Sequence, residues 1–325
     1  MQLTGIEIKV ESNQKFLERK NVLVTGGAGF IGSHLIESIQ SAGSITVVDD
    51  FSSGRKENID TSKIKLIEQD VNSFPEDILK DIDVVFHLAA IASVPKSNED
   101  PLTDFKVNAH ATLRLLELIR KNKADITFFY PSTALVHGES NQEKISEETD
   151  VKPISFYGLS KYAGEHYVKL YSDIYGLKTK IARFFNVYGP RQHTHVIFDT
   201  LQKIASNPKH LSMLGTGKET RDFVFVKDVV SATLAFLDSP SSEKIINVGS
   251  GDAIPIEQLV SSILRLCNIT DCKVDFSQKS WKGDVMKYRA DNSKLNAFFK
   301  PAYSLDEGLR ETIQWFENSY QKITR

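Results

Sequence analysis

Over the first 190 residues, short apolar runs alternate with segments whose apolar residues recur at helical spacing. Runs rich in Val, Ile and Phe occupy residues 22–25, 45–48, 64–71, 83–90, 126–130 and 181–188. The segments 33–43, 103–122 and 157–175 carry apolar side chains three and four positions apart, which predicts helices. This alternation predicts an α/β fold with a doubly wound parallel sheet. Right-handed crossovers then bring the carboxyl ends of the strands to one edge of that sheet.

Beyond residue 190 the alternation is less regular. Residues 222–226 and 244–248 have the pattern of strands, and residues 227–237 and 256–266 have that of helices. We therefore expect three parts along the chain. They are an N-terminal arm at 1–20, a doubly wound domain at 21–190, and a smaller mixed α/β cap at 191–325 whose chain crosses back to the sheet.

A glycine-rich turn joins the first strand to the first helix, with glycines at positions 26, 29 and 32. Gly26 permits a backbone angle that other residues avoid, Gly29 lets a ligand approach the main chain, and Gly32 allows close packing of the helix on the strand. The helix N-terminus offers free N–H groups and a positive dipole end to a pyrophosphate. The turn therefore predicts a Rossmann-type domain, and a glycine turn without a ligand is the alternative.

Other candidate cofactor residues follow the predicted strands. Asp49 ends the second strand, where a carboxylate hydrogen-bonds both hydroxyls of the adenosine ribose and repels a 2′-phosphate. It favours NAD over NADP, although Asp49 could simply begin a polar loop, and Arg55 in that loop could accept a phosphate. Asp70 and Val71 are placed to meet the adenine. We expect the cofactor to be held by Gly26, Gly29, Phe30, Ile31, Asp49, Asp50, Ser52, Ser53, Gly54, Asp70, Val71, Leu88, Ala89, Ala90, Asn108, Tyr157 and Lys161.

Tyr157 and Lys161 lie four residues apart on a predicted helix, so their side chains leave the same face. An ammonium and a nicotinamide cation near a phenol stabilise the phenolate, which lowers its pKa from near 10 towards neutrality. Tyr157 is therefore a candidate general base. A Tyr and a Lys at this spacing are also common on solvated helix faces, and it is the dinucleotide-binding half that favours catalysis here.

Composition narrows the class of protein. The chain of 325 residues is 41% hydrophobic and 25% charged, which is ordinary for a globular protein. Its formal net charge of -2 gives no electrostatic argument for nucleic acid or an anionic membrane as partner. The spacing of Cys267 and Cys272 fits neither a zinc pair nor a CxxC motif, and we expect no metal. No apolar stretch is long enough to span a membrane, so we expect a cytoplasmic protein.

Several motifs together resemble one family over residues 21 to about 315. They are residues 25–32 (TGGAGFIG), 87–90 (HLAA), 157–161 (YGLSK), 183–191 (RFFNVYGPR) and 221–226 (RDFVFV). These segments resemble the extended short-chain dehydrogenase/reductase superfamily, in its NAD-dependent nucleotide-sugar epimerase/dehydratase branch. The resemblance implies a Rossmann-type domain that binds NAD and a C-terminal cap that binds the substrate.

The resemblance also implies residue roles. Tyr157 would be the acid and base at the sugar 4-hydroxyl, Lys161 would bind the nicotinamide ribose and tune Tyr157, and Thr133 would hydrogen-bond the sugar 4-oxygen. Without the resemblance, each of these residues has a simpler interpretation. Thr133 would be a residue at the end of a strand, Asn186 would be a side chain in a turn, and Arg221 would form an ion pair at the surface. The substrate-binding residues implied by the resemblance are Ser93, Val94, Thr133, Asn186, Arg191, Arg221 and Asp284.

The residues after Thr133 bear on the reaction. Dehydratases of this family carry Asp-Glu there and decarboxylating relatives carry Ser-Glu, whereas this chain has Ala134 and Leu135. Elimination then lacks its proton donor. The remaining reaction is 4-epimerisation, in which a hydride leaves C4 and returns to the opposite face of the 4-keto sugar, on a UDP-hexose or its N-acetyl or uronic form.

Some positions depart from the family pattern. His137 replaces a usual Tyr, and we expect it to pack rather than act as a second base. The usual Arg before Gly283-Asp284 is absent, so Lys282 or Lys279 would have to replace it at the diphosphate. A lysine does so less well because it is a point charge rather than a fork. This departure leaves the sugar and the nucleotide base open.

Two other hypotheses stay open at this point. The first is a reductase, or an epimerase acting at another carbon, on a GDP-, CDP- or dTDP-sugar. The second is an NAD-binding regulator without catalysis, which the presence of Thr133, Tyr157 and Lys161 disfavours. Helices 103–122 and 157–175 carry apolar residues on more than one face, and relatives pair such helices into a four-helix bundle. We therefore expect a homodimer.

Overall fold

The computed structural model of this chain describes residues 14–122, 125–279, 283, 285–320 and 323. Its strands are β1 (Asn21–Thr25), β2 (Ser44–Asp49), β3 (Lys65–Glu68), β4 (Val84–His87), β5 (Thr127–Thr133), β6 (Lys178–Phe184), β7 (Asn186–Tyr188), β8 (His210–Met213), β9 (Thr220–Phe225), β10 (Ile245–Val248), β11 (Ala253–Pro255) and β12 (Lys273–Phe276). Its α-helices are α1 (Phe30–Ser38), α2 (Val94–Glu99), α3 (Pro101–Phe105), α4 (Ala111–Asn122), α5 (Phe156–Tyr175), α6 (His195–Ser206), α7 (Val226–Asp238), α8 (Ile256–Leu266) and α9 (Leu305–Ser319).

Shorter helical turns join these elements. A π-helical turn at Lys106–His110 connects α3 to α4. The 3₁₀ turns are Gln14–Leu17, Lys56–Asn58, Thr61–Lys63, Glu76–Asp81, Ala134–His137 and Leu295–Ala297. No helix among the described residues is long and apolar enough to cross a bilayer.

A seven-stranded sheet in the order β10-β6-β5-β4-β1-β2-β3 forms the centre of the molecule. Every neighbouring pair in it is parallel. Alternate side chains pack on opposite faces, since Val22 and Val24 of β1 belong to one buried cluster and Leu23 to another. The strand order reverses between β1 and β4, where a doubly wound sheet opens a crevice for ligands. The predicted Rossmann-type fold is confirmed.

The second half of the chain builds two small sheets, β11-β9-β7 and β12-β8. Helices α6, α8 and α9 bury a separate apolar cluster there, which includes Leu201, Leu259 and Phe316. The sequence pattern predicts that residues 244–248 form a strand of the cap. In the structure these residues form β10, which lies at the edge of the main sheet beside β6. The chain thus returns to the main sheet after it has begun the second half.

The first helix differs from the sequence prediction of residues 33–43. It begins at Phe30, directly after the glycine turn, and ends at Ser38. The N–H of Gly43 donates instead to the Lys20 carbonyl at 2.9 Å, and a Cβ at Gly43 would lie 2.7 Å from the Arg19 carbonyl oxygen. The chain leaves the helix early because it packs against the segment that precedes β1.

Candidate active site

The glycine turn after β1 lies against the end of β4. Gly26 has a φ of +70°, and a Cβ on it would lie 2.6 Å from the backbone nitrogen of Ala89. A Cβ on Gly29 would meet only the Gly26 carbonyl oxygen, at 3.2 Å. Gly29 caps α1, and the half-buried Phe30 and Ile31 form its first turn. The main chain at the N-terminus of α1 is therefore open to a ligand, as a pyrophosphate requires.

Asp49 is buried at the end of β2 and holds two backbone donors. Its carboxylate accepts the N–H of Ala28 at 2.8 Å and that of Phe51 at 2.9 Å. Burial raises the pKa of the Asp49 carboxyl, and the two backbone N–H groups oppose that rise. Each carboxylate oxygen keeps a lone pair, so Asp49 can still accept hydrogen bonds from ribose hydroxyls. The carboxylate therefore fits, as an acceptor, an adenosine ribose with a free 2′-hydroxyl.

The remaining candidate cofactor residues follow three strands at the same edge of the sheet. After β2, Asp50, Ser52 and Ser53 are exposed, and Gly54 packs on Asp49. After β3, Asp70 is exposed and accepts the N–H of Asn72 at 2.7 Å, while Val71 is buried. After β4, the three residues Leu88, Ala89 and Ala90 are half-buried. All of these groups therefore follow the carboxyl ends of neighbouring parallel strands, and their contacts with a cofactor stay predictions.

The predicted catalytic residues come together from two elements. Thr133 ends β5, and Tyr157 and Lys161 lie in the first turns of α5. The Thr133 hydroxyl accepts the N–H of Leu135 at 3.2 Å and acts on the nearby Tyr157 phenol, whose pKa it lowers. Lys161 is buried, and its Nζ lies 4.2 Å from the centre of the Tyr130 ring. Ser155 begins α5 by accepting the N–H of Gly158 at 3.0 Å, which fixes where the helix starts.

The pKa values of Tyr157 and Lys161 bear on the predicted role of Tyr157 as a general base. Burial raises the pKa of the Tyr157 phenol to about 12, although the hydrogen bond from Thr133 acts in the opposite direction. Burial also lowers the pKa of the Lys161 ammonium to about 7, against the charges of Glu165 and Asp104. The protein's own groups therefore do not lower the pKa of Tyr157, because the effect of burial is larger than that of Thr133. The predicted shift needs the ammonium and the nicotinamide cation together, and it stays a prediction.

Asn108 lies in the π-helical turn and holds neighbouring segments. Its Oδ1 accepts the N–H of Ile91 at 2.9 Å, and its Nδ2 donates to Asp104 at 2.8 Å and to the Ser160 hydroxyl at 3.1 Å. The amide therefore ties the loop after β4 to the catalytic helix. A direct contact between Asn108 and the cofactor stays a prediction.

The candidate substrate residues fall into separate groups. Ser93 caps α2, where Val94 is buried. Asn186 on β7 and Arg221 on β9 lie on neighbouring parallel strands. The Asn186 amide donates to the Asp222 carbonyl at 3.3 Å, and the Arg221 guanidinium donates to the Thr220 carbonyl at 2.9 Å. Asp222, next to Arg221, is buried, and its carboxylate binds backbone N–H groups at Ser250, Gly251 and Ala290. Asp284 lies outside the described residues, as does Lys282, while Lys279 is exposed.

The side chain of Arg191 contacts α1. One of its guanidinium nitrogens pairs with Glu37 of α1, and its neighbour Pro190 bonds to His34 of the same helix at 2.9 Å. The second terminal nitrogen of Arg191 is buried without a hydrogen-bond partner among the described residues. The charge of Glu37 thus draws this side chain towards α1, and its predicted contact with a substrate stays a prediction.

His137 is a packing residue, as the sequence predicts. It is buried, its Nδ1 bonds to the Asp150 carbonyl at 3.1 Å, and its Nε2 accepts from Arg183 at 3.2 Å. Burial first, and then the charge of Arg183, lower the pKa of His137 to about 4. The imidazole is neutral at pH 7 and both of its nitrogens are used within the protein.

Sequence reasoning missed several residues that support the site. Glu165 and Arg183 form a buried ion pair beside the catalytic helix, with 2.5 Å between Arg183 Nη2 and Glu165 Oε1. Tyr288 donates its hydroxyl proton to the carbonyl of Ala134, directly after Thr133. The signal for Glu165 was present, since it follows Lys161 by four residues on one helix face. The contact of Tyr288 joins positions far apart in the chain and left no local signal.

Comparison with known proteins places these features in one family. Residues 22–249 match the model of the NAD dependent epimerase/dehydratase family. The chain is 35% identical to a putative UDP-glucose 4-epimerase of Methanocaldococcus jannaschii, over 92% of this chain and 99% of that protein. UDP-glucuronic acid decarboxylase 1 of Xenopus tropicalis is 31% identical, over 94% of this chain and 75% of that protein.

Solved structures are similar over most of the chain. A UDP-N-acetylglucosamine 4-epimerase from Methanobrevibacter ruminantium, in complex with UDP-N-acetylmuramic acid, has a TM-score of 0.86, 34% identity, and coverage of 93% of this chain and 99% of its own. A UDP-glucuronic acid 4-epimerase from Bacillus cereus, in complex with UDP-glucuronic acid and NAD, has a TM-score of 0.86, 30% identity, and coverage of 92% and 100%.

Proposed function

Because this chain belongs to the NAD-dependent epimerase/dehydratase family, we propose that it interconverts UDP-sugars that differ in configuration at C4. The predictions of an isomerase and of NAD as its cofactor are confirmed by the family and its members. The open N-terminus of α1, Gly26 and Asp49 fit that cofactor. The candidate sugars are glucose, N-acetylglucosamine and glucuronic acid, which the similar enzymes are named for.

One observation supports 4-epimerisation over elimination. Thr133 at the end of β5 lies near Tyr157 of α5, one turn before the buried Lys161, and these are the groups needed to move a proton at a hydroxyl. The next two side chains, Ala134 and Leu135, are apolar. A dehydratase or decarboxylase of this family uses an acid at those places, and this chain has none there to donate a proton to a leaving group.

The residues divide the reaction between them. Tyr157 accepts the proton of the sugar 4-hydroxyl and later returns it to the 4-oxygen. Thr133 holds the same oxygen and the phenol in one hydrogen-bonded line, and Lys161 supplies a positive charge that favours the phenolate. When bound, NAD supplies the acceptor and the donor of the C4 hydride. Asn186 and Arg221, on adjacent strands, hold the diphosphate while the 4-keto sugar turns in the pocket.

Product analysis tests the proposal. The purified protein is incubated with UDP-glucose, UDP-N-acetylglucosamine and UDP-glucuronic acid in separate reactions with NAD, and the sugars are identified by proton NMR. We expect the 4-epimer of at least one substrate, with no net formation of NADH. If none of the three gives a 4-epimer, the chain does not act on these UDP-sugars. Net production or consumption of NADH would favour a reductase.

We further propose that two copies associate through the predicted helices 103–122 and 157–175. The first consists of α3, the π-helical turn and α4, and the second lies in α5. These helices contact each other and expose apolar side chains. Leu102 is 82% exposed, Ile174 is 65% exposed and Leu159 is 54% exposed, which a monomer would leave in water. Pairing both helices with those of a second copy buries them in a four-helix bundle.

Light scattering tests this association. The wild-type mass should be twice the 36.5 kDa of one chain, and Leu159→Glu should yield the mass of one chain. Leu214→Glu is the matched control, because Leu214 is 60% exposed outside these helices, and it should leave the dimer intact. A wild-type protein with the mass of one chain at working concentration would contradict the proposal.

A further inference from the structure

Two buried carboxylates, Asp104 and Glu165, act on the catalytic lysine by their charges and oppose the effect of its burial. Asp104 of α3 is 1% exposed and Glu165 of α5 is 3% exposed. Burial of a carboxylate is costly unless hydrogen bonds or opposite charges compensate for the lost water. Each of the two is held by partners that lead to the catalytic residues.

Glu165 joins the two elements that carry Thr133, Tyr157 and Lys161. Its carboxylate binds Arg183 of β6 through two nitrogens, at 2.5 Å and 3.1 Å. The same carboxylate accepts the Ser132 hydroxyl proton at 2.6 Å, and Ser132 directly precedes Thr133 on β5. The ion pair therefore fixes the end of β5 against the catalytic helix, one turn beyond Lys161.

Asp104 reaches the start of the same helix through a chain of hydrogen bonds. It accepts from Asn108 Nδ2 at 2.8 Å, and the same Nδ2 donates to the Ser160 hydroxyl at 3.1 Å. Ser160 in turn donates to the Tyr157 carbonyl at 3.1 Å. The carboxylate thus holds the first turn of α5 through Asn108 and Ser160, whereas Glu165 holds α5 to β5 and β6.

The other groups that face Lys161 are neutral at pH 7. On β4, burial first and then the charge of Lys161 lower the pKa of His87 to about 3. On β5, burial raises the pKa of the Tyr130 phenol, whose ring faces the ammonium at 4.2 Å. On α5 itself, Tyr157 is protonated. Among the described residues, Asp104 and Glu165 are therefore the acids that act on the buried ammonium, and both favour its charged form.

We propose that Asp104 and Glu165 are positioning residues that keep the Lys161 ammonium charged and hold Tyr157 and Thr133 together. The consequence for catalysis rests on the proposed epimerase function, whereas the effect on Lys161 does not. Removal of either negative charge makes the ammonium less stable in its buried site, so Lys161 loses its proton at lower pH. The neutral amine then no longer favours the phenolate of Tyr157.

Carbon NMR of protein labelled at lysine Cε tests the effect on Lys161 without a substrate. The Lys161 signal is assigned by its loss in Lys161→Met, and its titration is followed in the wild type, Asp104→Asn and Glu165→Gln. We expect both variants to titrate about one pH unit lower than the wild type. Asp228→Asn is the matched control, because Asp228 is 3% exposed and binds backbone N–H groups at Ala302 and Tyr303. Its titration curve for Lys161 should match the wild type.

Kinetics then separate positioning from general stability. In Asp104→Asn and Glu165→Gln we expect kcat to fall about tenfold, the KM to stay within about twofold, and the alkaline limb of the pH profile to move to lower pH. If Glu165→Gln does not fold, Asp104→Asn decides the matter because it leaves the ion pair of Glu165 intact. An unchanged Lys161 titration in Asp104→Asn would overturn the proposal. A shifted titration in a protein without epimerase activity would contradict the proposed function alone.

Discussion

The close approach of the glycine turn to β4 gives a sharp prediction for Gly26→Ala. A non-glycine residue at a φ of +70° costs about 1–2 kcal/mol of backbone strain. The new Cβ would also lie 2.6 Å from Ala89 N and 2.8 Å from Ala89 Cα, and these main-chain atoms cannot rotate away. Overpacking of this kind costs about 1–3 kcal/mol more. We therefore expect Gly26→Ala to lose about 2–5 kcal/mol of the free energy of unfolding.

Gly176 provides a matched control for the strain alone. Its φ is +72°, and a Cβ on it would have no atom within 4 Å. Gly176→Ala should therefore lose only about 1–2 kcal/mol. Urea unfolding measures both values, and calorimetric titration measures NAD affinity, which should fall at least about tenfold in Gly26→Ala only. Equal losses of stability and unchanged NAD affinity in both variants would refute the idea that the turn must pack on β4 to hold the cofactor.

Three more predictions follow from the site. Tyr157→Phe should lower kcat about 10²–10⁴-fold while NAD affinity, measured by calorimetry, stays within about twofold; unchanged turnover would remove Tyr157 from the mechanism. Asp49→Asn should improve the ratio of NADP to NAD affinity at least about tenfold, because it removes the charge that repels a 2′-phosphate, and an unchanged ratio would contradict that assignment. Burial lowers the pKa of His87 to about 3 and those of His34 and His137 to about 4, below the ordinary 6.5 of the unfolded chain. These neutral histidines contribute stability above pH 6.5, and the contribution declines as the pH falls towards 4, by at most about 1.4 kcal/mol per pH unit for each. A free energy of unfolding in urea that is the same at pH 6.5 and pH 5 would contradict this prediction.

Local sequence patterns predicted the main sheet well. The first five apolar runs, the glycine turn and Asp49 are signals carried by neighbouring residues, and the structure has them where expected. The run 181–188 is the exception, because it divides into β6 and β7, which belong to different sheets. Element boundaries that depend on contacts between distant residues were harder to predict. The end of α1 at Ser38 depends on the bond between Gly43 and Lys20, and the place of β10 depends on its pairing with β6. Neither partner is visible in the local pattern of either segment.

The candidate site likewise contains residues that the sequence predicts and contacts that it does not. Tyr157 and Lys161 were found from their spacing on one helix face, and Thr133 from the family resemblance. The rise that burial causes in the pKa of Tyr157 had no signal in the sequence, because burial is a property of the tertiary fold. The pairing of Glu165 with Arg183 joins a helix to a strand, so periodicity alone does not reveal it.

Transfer of an isotope at C4 tests the central claim most directly. A UDP-sugar that proves to be a substrate is prepared with deuterium at C4 and incubated with the enzyme and NAD. The account predicts a 4-epimer that retains deuterium at C4, because the hydride leaves and returns within one bound complex, and it predicts no net NADH. A 4-epimer that has lost its deuterium to solvent, or a product unchanged at C4, would contradict the account.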